Sequence, residues 1–129
     1  MSLAVGEDLA PRTVEIDRDM ITAYAQASGD LNPIHLDPAF ARSVGLPGVI
    51  AHGMLQMGLL ATYVSDWAGG GERVRRLRCR FSGMVQPGDA LTFGGRVTGV
   101  EAGAASLELW ATNQRGEKIL TKGEAAVLL

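Results

Sequence analysis

Between His52 and Trp67 the apolar residues fall on nearly every side of a helical wheel. A helix of that kind is buried on most of its faces. Gly58, in its middle, removes a side chain and allows close approach of another backbone there. Gly69-Gly70-Gly71 ends the element. From Arg73 onward the hydrophobic period changes to two, with Leu77, Cys79 and Phe81 alternating with arginines. Gln86 to Asp89 reads as a turn. Leu91 to Val100 and Ala105 to Thr112 read as long strands joined around Ala102-Gly103, and Asn113 to Gly116 leads into a last strand, Lys118 to Leu128.

Ahead of the long helix, Val5 to Ile16 reads as an extended lead-in. Asp17 is placed to cap a helix carrying Met20, Ile21, Tyr24 and Ala25 on one side, with Gly29 as its stop. Asp37-Pro38 opens a second, short helix over Ala39 to Val44, which Gly45 ends. Helices first and antiparallel strands after predict an α+β domain, one buried helix against a sheet. With 129 residues, 47% of them hydrophobic, the expectation is a single domain over 1–129.

A net charge of −2 gives no bulk electrostatic case for nucleic acid or an anionic membrane. No apolar run reaches membrane-spanning length, and Met1 to Val14 lacks a basic-then-apolar leader pattern. Cys79 is the one cysteine, which rules out an internal disulfide and a cysteine-rich metal site. The expectation is a soluble cytoplasmic protein. Arginine supplies ten of the twelve basic residues, and Arg73, Arg75, Arg76, Arg78 and Arg80 cluster, the last three on one strand face. One reading is a solvated face whose arginine stems cover apolar surface. The other is an anion site for phosphates or an acidic carrier protein.

The segment Ala27-Ser28-Gly29-Asp30-Leu31-Asn32-Pro33-Ile34-His35-Leu36-Asp37-Pro38 cannot be regular helix, because Gly29 and Pro33 break it and Pro33 drives Asn32 toward extended backbone. Asp30 and His35 therefore sit on a short, stiff loop, which can hold two titratable groups in fixed mutual geometry for acid–base work. The competing reading is a plain turn, with Asp30 closing a helix and His35 a buried structural residue. A metal site from Asp30, His35, Asp37 and His52 lacks a compact ligand motif, so no metal is expected.

These residues resemble the MaoC-like, (R)-specific enoyl hydratase family. Its motif runs small or aliphatic residue, Ser or Thr, Gly-Asp-x-Asn-Pro-aliphatic-His, and Ala27 to His35 matches throughout, with Ala41 as the trailing small residue. Ala51-His52-Gly53-Met54 is similar to the family's second signature. Ile50 to Leu55, Tyr63 to Trp67 and Arg80-Phe81 resemble the catalytic-subunit branch, the mycobacterial (3R)-hydroxyacyl-carrier-protein dehydratases.

The resemblance implies a hot-dog fold, a long helix wrapped by a curved antiparallel sheet. It also implies a dimer, either of two identical chains or with a second hot-dog chain, with the acyl tunnel at or near the interface. The implied reaction is reversible hydration of a trans-2-enoyl thioester, carried by coenzyme A or by acyl carrier protein, to the (3R)-3-hydroxyacyl thioester. Asp30 and His35 would share the water, the Gly53 N–H would bind the developing oxyanion, and Ser28 and Asn32 would order the loop. Arg76, Arg78 and Arg80 would meet phosphates or carrier, and no cofactor is implied. His52 reads as structural. Some members carry a serine in the central helix; ungapped counting from Gly53 puts Ala61 there, with Thr62 adjacent.

Overall fold

The computed structural model describes residues 3–129. In chain order it contains β1 (Asp8–Glu15), α1 (Arg18–Ser28), α2 (Pro38–Ser43), α3 (Gly53–Ala68), a 3-10 turn (Gly71–Arg73), β2 (Val74–Phe81), β3 (Ala90–Glu101), β4 (Ala104–Thr112) and β5 (Lys118–Leu128). The strands make one antiparallel sheet in the order β1-β3-β4-β5-β2. The long helix α3 packs against this sheet through Leu55, Leu60, Tyr63 and Val64, which join Phe93, Leu107, Leu109, Ile119 and Leu120 in one core. This is the α+β arrangement expected from the order of elements and the hot-dog fold that the family resemblance implies.

Local chemistry explains the boundaries. The Asp17 carboxylate accepts from the Met20 N–H at the start of α1, and Gly29 closes it at φ 78°, a left-handed conformation that glycine adopts without steric cost. Asp37 caps α2 the same way, with Pro38 in its first turn. The segment anticipated as a lead-in is a genuine edge strand, β1, paired with β3. It is irregular around Pro11, where the ladder slips between Leu9 and Arg12. The freed Ala10 carbonyl accepts from the Tyr63 hydroxyl at 2.8 Å, which fastens β1 to α3.

Helix α3 is covered on most of its faces, as its apolar wheel predicts, and Met54, Gly58, Thr62 and Asp66 form one exposed stripe one turn apart. A Cβ placed on Gly58 would meet nothing within 4 Å, so among the described residues no other backbone of this chain closes on it. One sheet and one helix cannot enclose every side of that helix. Phe81, expected on the buried side of its strand, is 47% exposed, because it lies at the end of β2 beyond the core.

Candidate active site

The loop after α1 is stiffened by its own side chains. The Asp30 N–H donates to Ser28 Oγ (3.1 Å), the Asn32 N–H to Asp30 Oδ1 (3.2 Å), and the Ile34 N–H to Asn32 Oδ1 (3.2 Å). Each acceptor takes the amide two residues further on, the short-range bonding for which Ser, Asp and Asn are suited. A turn follows, with the Asp37 N–H donating to the Pro33 carbonyl. The loop is then sewn to the strand-like segment before α3. The Ile50 N–H donates to the Ile34 carbonyl at 3.2 Å, and the Ile50 carbonyl accepts from His35 Nδ1 at 2.7 Å.

This stitching brings Asp30 Oδ2 to 4.0 Å from His35 Nε2. The gap is too long for a direct hydrogen bond, and an oxygen atom fits between them at about 2.8 Å from each. The carboxylate side chain is 52% exposed and the imidazole 9%, so the pair has one buried wall and one open side.

His52, which precedes α3, is buried. Its ring stacks on that of His35 with centroids 3.8 Å apart and planes 25° off parallel, and its Nε2 donates to the Asp30 carbonyl at 3.1 Å. The Tyr24 ring lies 4.8 Å from it, tilted by 60°. The sequence places His52 as a structural residue at the start of the helix, and its stacking on His35 is visible only in the structure.

Gly53 begins α3, and among the described residues no side chain caps that end. Amides of a helix's first turn have no partner within the helix and sit at the positive end of its dipole. A Cβ on Gly53 would fall 3.2 Å from the Phe81 ring, so close packing by itself already favours glycine there. One turn further along α3, Gln56 is buried, and its Oε1, like His52 Nδ1, has no hydrogen-bond partner among the described residues.

Asp30, His35 and His52 bring ligand-type atoms within 4.8 Å of one another. They fit a metal ion poorly. His35 Nδ1 and His52 Nε2 already make backbone bonds, and two stacked rings send their remaining lone pairs along nearly parallel planes that do not converge.

The arginines lie elsewhere. On β2, Arg76, Arg78 and Arg80 alternate with Leu77 and Cys79, which pack on the core. The ladder slips against β5 between Arg78 and Arg80, where Lys122 takes up the extra residue at φ 49°. Arg76 and Arg78 border a shallow depression with Thr98, Ser106, Glu108 and Glu124, and Arg78 is ion-paired with Glu124 at 2.8 Å. Arg80 directly precedes Phe81, whose ring covers Gly53, so the row leads away from the start of α3.

A second polar cluster escaped the sequence reading. Asp89 is buried and accepts from the Gln86 N–H (2.9 Å), Gln114 Nε2 (2.8 Å) and Arg115 Nη1 (3.4 Å). Burial alone would raise the Asp89 pKa. The bonds from Gln114 and the Gln86 amide, with the Arg115 charge, outweigh burial and hold it below the usual carboxylate value.

Comparison with known proteins brings these observations together. A family model described as a MaoC-like domain matches residues 2–118. The β subunit of the fatty acid synthase of Saccharomyces cerevisiae is 35% identical over 127 residues, 97% of this chain; that stretch is 6% of the yeast subunit, so the chain spans a small part of such a relative. An (R)-hydratase from A. caviae involved in PHA biosynthesis superposes with a TM-score of 0.89 at 32% identity, covering 99% of this chain and 98% of the other. A chain of the ChsH1–ChsH2 complex from Mycobacterium tuberculosis superposes with a TM-score of 0.89 at 25% identity, covering 99% and 100%.

Proposed function

We propose that this chain, which belongs to the MaoC-like domain family, adds water reversibly across the C2–C3 double bond of a trans-2-enoyl thioester to give the (3R)-3-hydroxyacyl thioester. The supporting observation is the 4.0 Å separation of Asp30 Oδ2 and His35 Nε2 beside the uncapped start of α3. A water between them donates to both. The pair takes one proton, the hydroxyl bonds to C3, the C2–C3 π electrons move toward the thioester oxygen, and one proton returns at C2. Such acid–base assistance is worth roughly 10²–10⁴ in rate. The Gly53 N–H is the donor assigned to the enolate oxygen, a contribution of about 10²–10³. Ser28 and Asn32 hold the loop in shape through their backbone bonds. Neither cofactor nor metal has a step in this chemistry.

The anionic end of the thioester, coenzyme A or a carrier protein's prosthetic group, is assigned to the row of Arg76, Arg78 and Arg80. A second hot-dog chain is assigned to the exposed stripe on α3. The open space at Gly58 and the exposed Met54 support that placement, and a solved neighbour is itself part of a complex of two chains. The homodimer acts alone; the alternative is a catalytic subunit that needs a different partner. A thioesterase attacks the carbonyl and releases free thiol, and a purely acyl-binding subunit has no use for the pair.

The test is the ultraviolet absorbance of crotonyl-CoA and of a long-chain enoyl-CoA with purified protein alone. Loss of conjugation, abolished in Asp30→Asn, is the expected result. Thiol release without loss of conjugation from the remaining thioester overturns it.

A further inference from the structure

The geometry points to His52 as a positioning residue that fixes Asp30 and His35 relative to each other, with the two stacked imidazoles held in opposite tautomers. This inference rests on the catalytic reading of that pair. A carbonyl oxygen only accepts, so each imidazole nitrogen facing one must carry the hydrogen. His35 Nδ1 lies 2.7 Å from the Ile50 carbonyl, which leaves Nε2 bare in the neutral ring, and Nε2 is the atom facing the Asp30 carboxylate. His52 Nε2 lies 3.1 Å from the Asp30 carbonyl, which leaves Nδ1 bare instead.

Each contact of His52 acts on one member of the pair. Its N–H holds the backbone of Asp30 to the start of α3, and its face backs the ring of His35 at 3.8 Å. Tyr24 packs on His52 in turn. The bare Nδ1 is buried without a hydrogen-bond partner among the described residues, a cost that an apolar aromatic filling the same space would avoid. A filler needs only the ring. The carbonyl bond requires the imidazole, and it terminates on the residue that must stay aimed across the 4.0 Å gap. With both bases bare, Asp30 and His35 each accept from the same water.

Nitrogen-15 correlation spectra of the imidazoles provide the direct test. The chain has two histidines, so His52→Phe assigns both ring systems. The expected spectrum of the intact protein shows His35 protonated on Nδ1 and His52 on Nε2. Rings sharing one tautomer, or averaging between both, overturn the inference. Kinetics with an enoyl thioester supply the second readout. His52→Phe keeps a flat ring against His35 and removes the donor. The expected result is a kcat lower by on the order of 10²-fold, the scale of a misplaced catalytic group, at a KM near that of the intact protein. His52→Gln, whose amide reaches toward the same carbonyl, is expected to recover part of it. A lower melting temperature with unchanged kcat marks His52 as filler and overturns the proposal. If His52→Phe does not fold, the spectrum of the intact protein and the glutamine variant decide. An intact protein that hydrates no enoyl thioester, alone or with a second hot-dog chain, on coenzyme A or on carrier protein, defeats the functional reading, while the spectrum still judges the tautomers.

Discussion

Two carboxylates in this molecule sit on loops that hydrogen bonds have stiffened, and they differ in what remains for them to do. Asp89 is buried, takes bonds from a backbone amide, an amide side chain and a guanidinium, and joins the turn before β3 to the β4–β5 hairpin. Asp30 receives the Asn32 amide on one oxygen, while the other faces His35 across 4.0 Å on a half-open side. A buried carboxylate with both oxygens engaged by fold-bearing donors holds the fold together. One with an oxygen left over, at fixed distance from a second base, can bind and activate a further molecule.

Substitutions that break this contrast follow in order of expected effect. Asp30→Asn and His35→Ala should each lower kcat by roughly 10²–10⁴. Asp30→Asn keeps an oxygen for the Asn32 amide, so its melting curve should stay close to that of the intact protein; equal activity in either variant would remove the catalytic pair. Gly53→Ala comes next. Its methyl lands on the Phe81 ring, and the expected cost is below the roughly 10²–10³-fold of losing an oxyanion donor outright. Recovery in Gly53→Ala/Phe81→Leu would trace the loss to that contact.

Asp89→Asn should leave kcat unchanged and cost about 1–3 kcal/mol of stability by denaturant titration. Its pKa is held low in the folded state, so the unfolded chain takes up the proton first. The stabilisation is therefore complete above the ordinary carboxylate pKa near 3.9 and is lost as pH falls through the lower, folded value. The intact protein should lose stability over that acid range more steeply than Asp89→Asn. The smallest effect belongs to Arg78→Glu, which should raise KM for a coenzyme A thioester by at most about fivefold, since exposed ion pairs are worth ~1 kcal/mol or less. An unchanged KM would leave Arg78 to Glu124 alone.

Local signals carried most of the fold. Asp17, Gly29 and Asp37-Pro38 bound their helices through caps that need nothing beyond neighbouring residues, and alternation located β3, β4 and β5. The Asp30–His35 pair was legible for the same reason, since Gly29 and Pro33 impose the loop. Long-range contacts were not. Nothing near His52 in sequence reveals that its ring will meet His35, and nothing near Asp89 points to Gln114 and Arg115. The exposed stripe on α3 was not legible, because a periodicity reports apolar surface without saying which chain covers it.

The most direct test of the account is the fate of oxygen when the protein meets an enoyl thioester in heavy-oxygen water. Label at C3 of an intact (3R)-3-hydroxyacyl thioester, absent with Asp30→Asn, is the predicted result. Label in a free carboxylate with thiol released, or equal labelling at C3 in that variant, would contradict it.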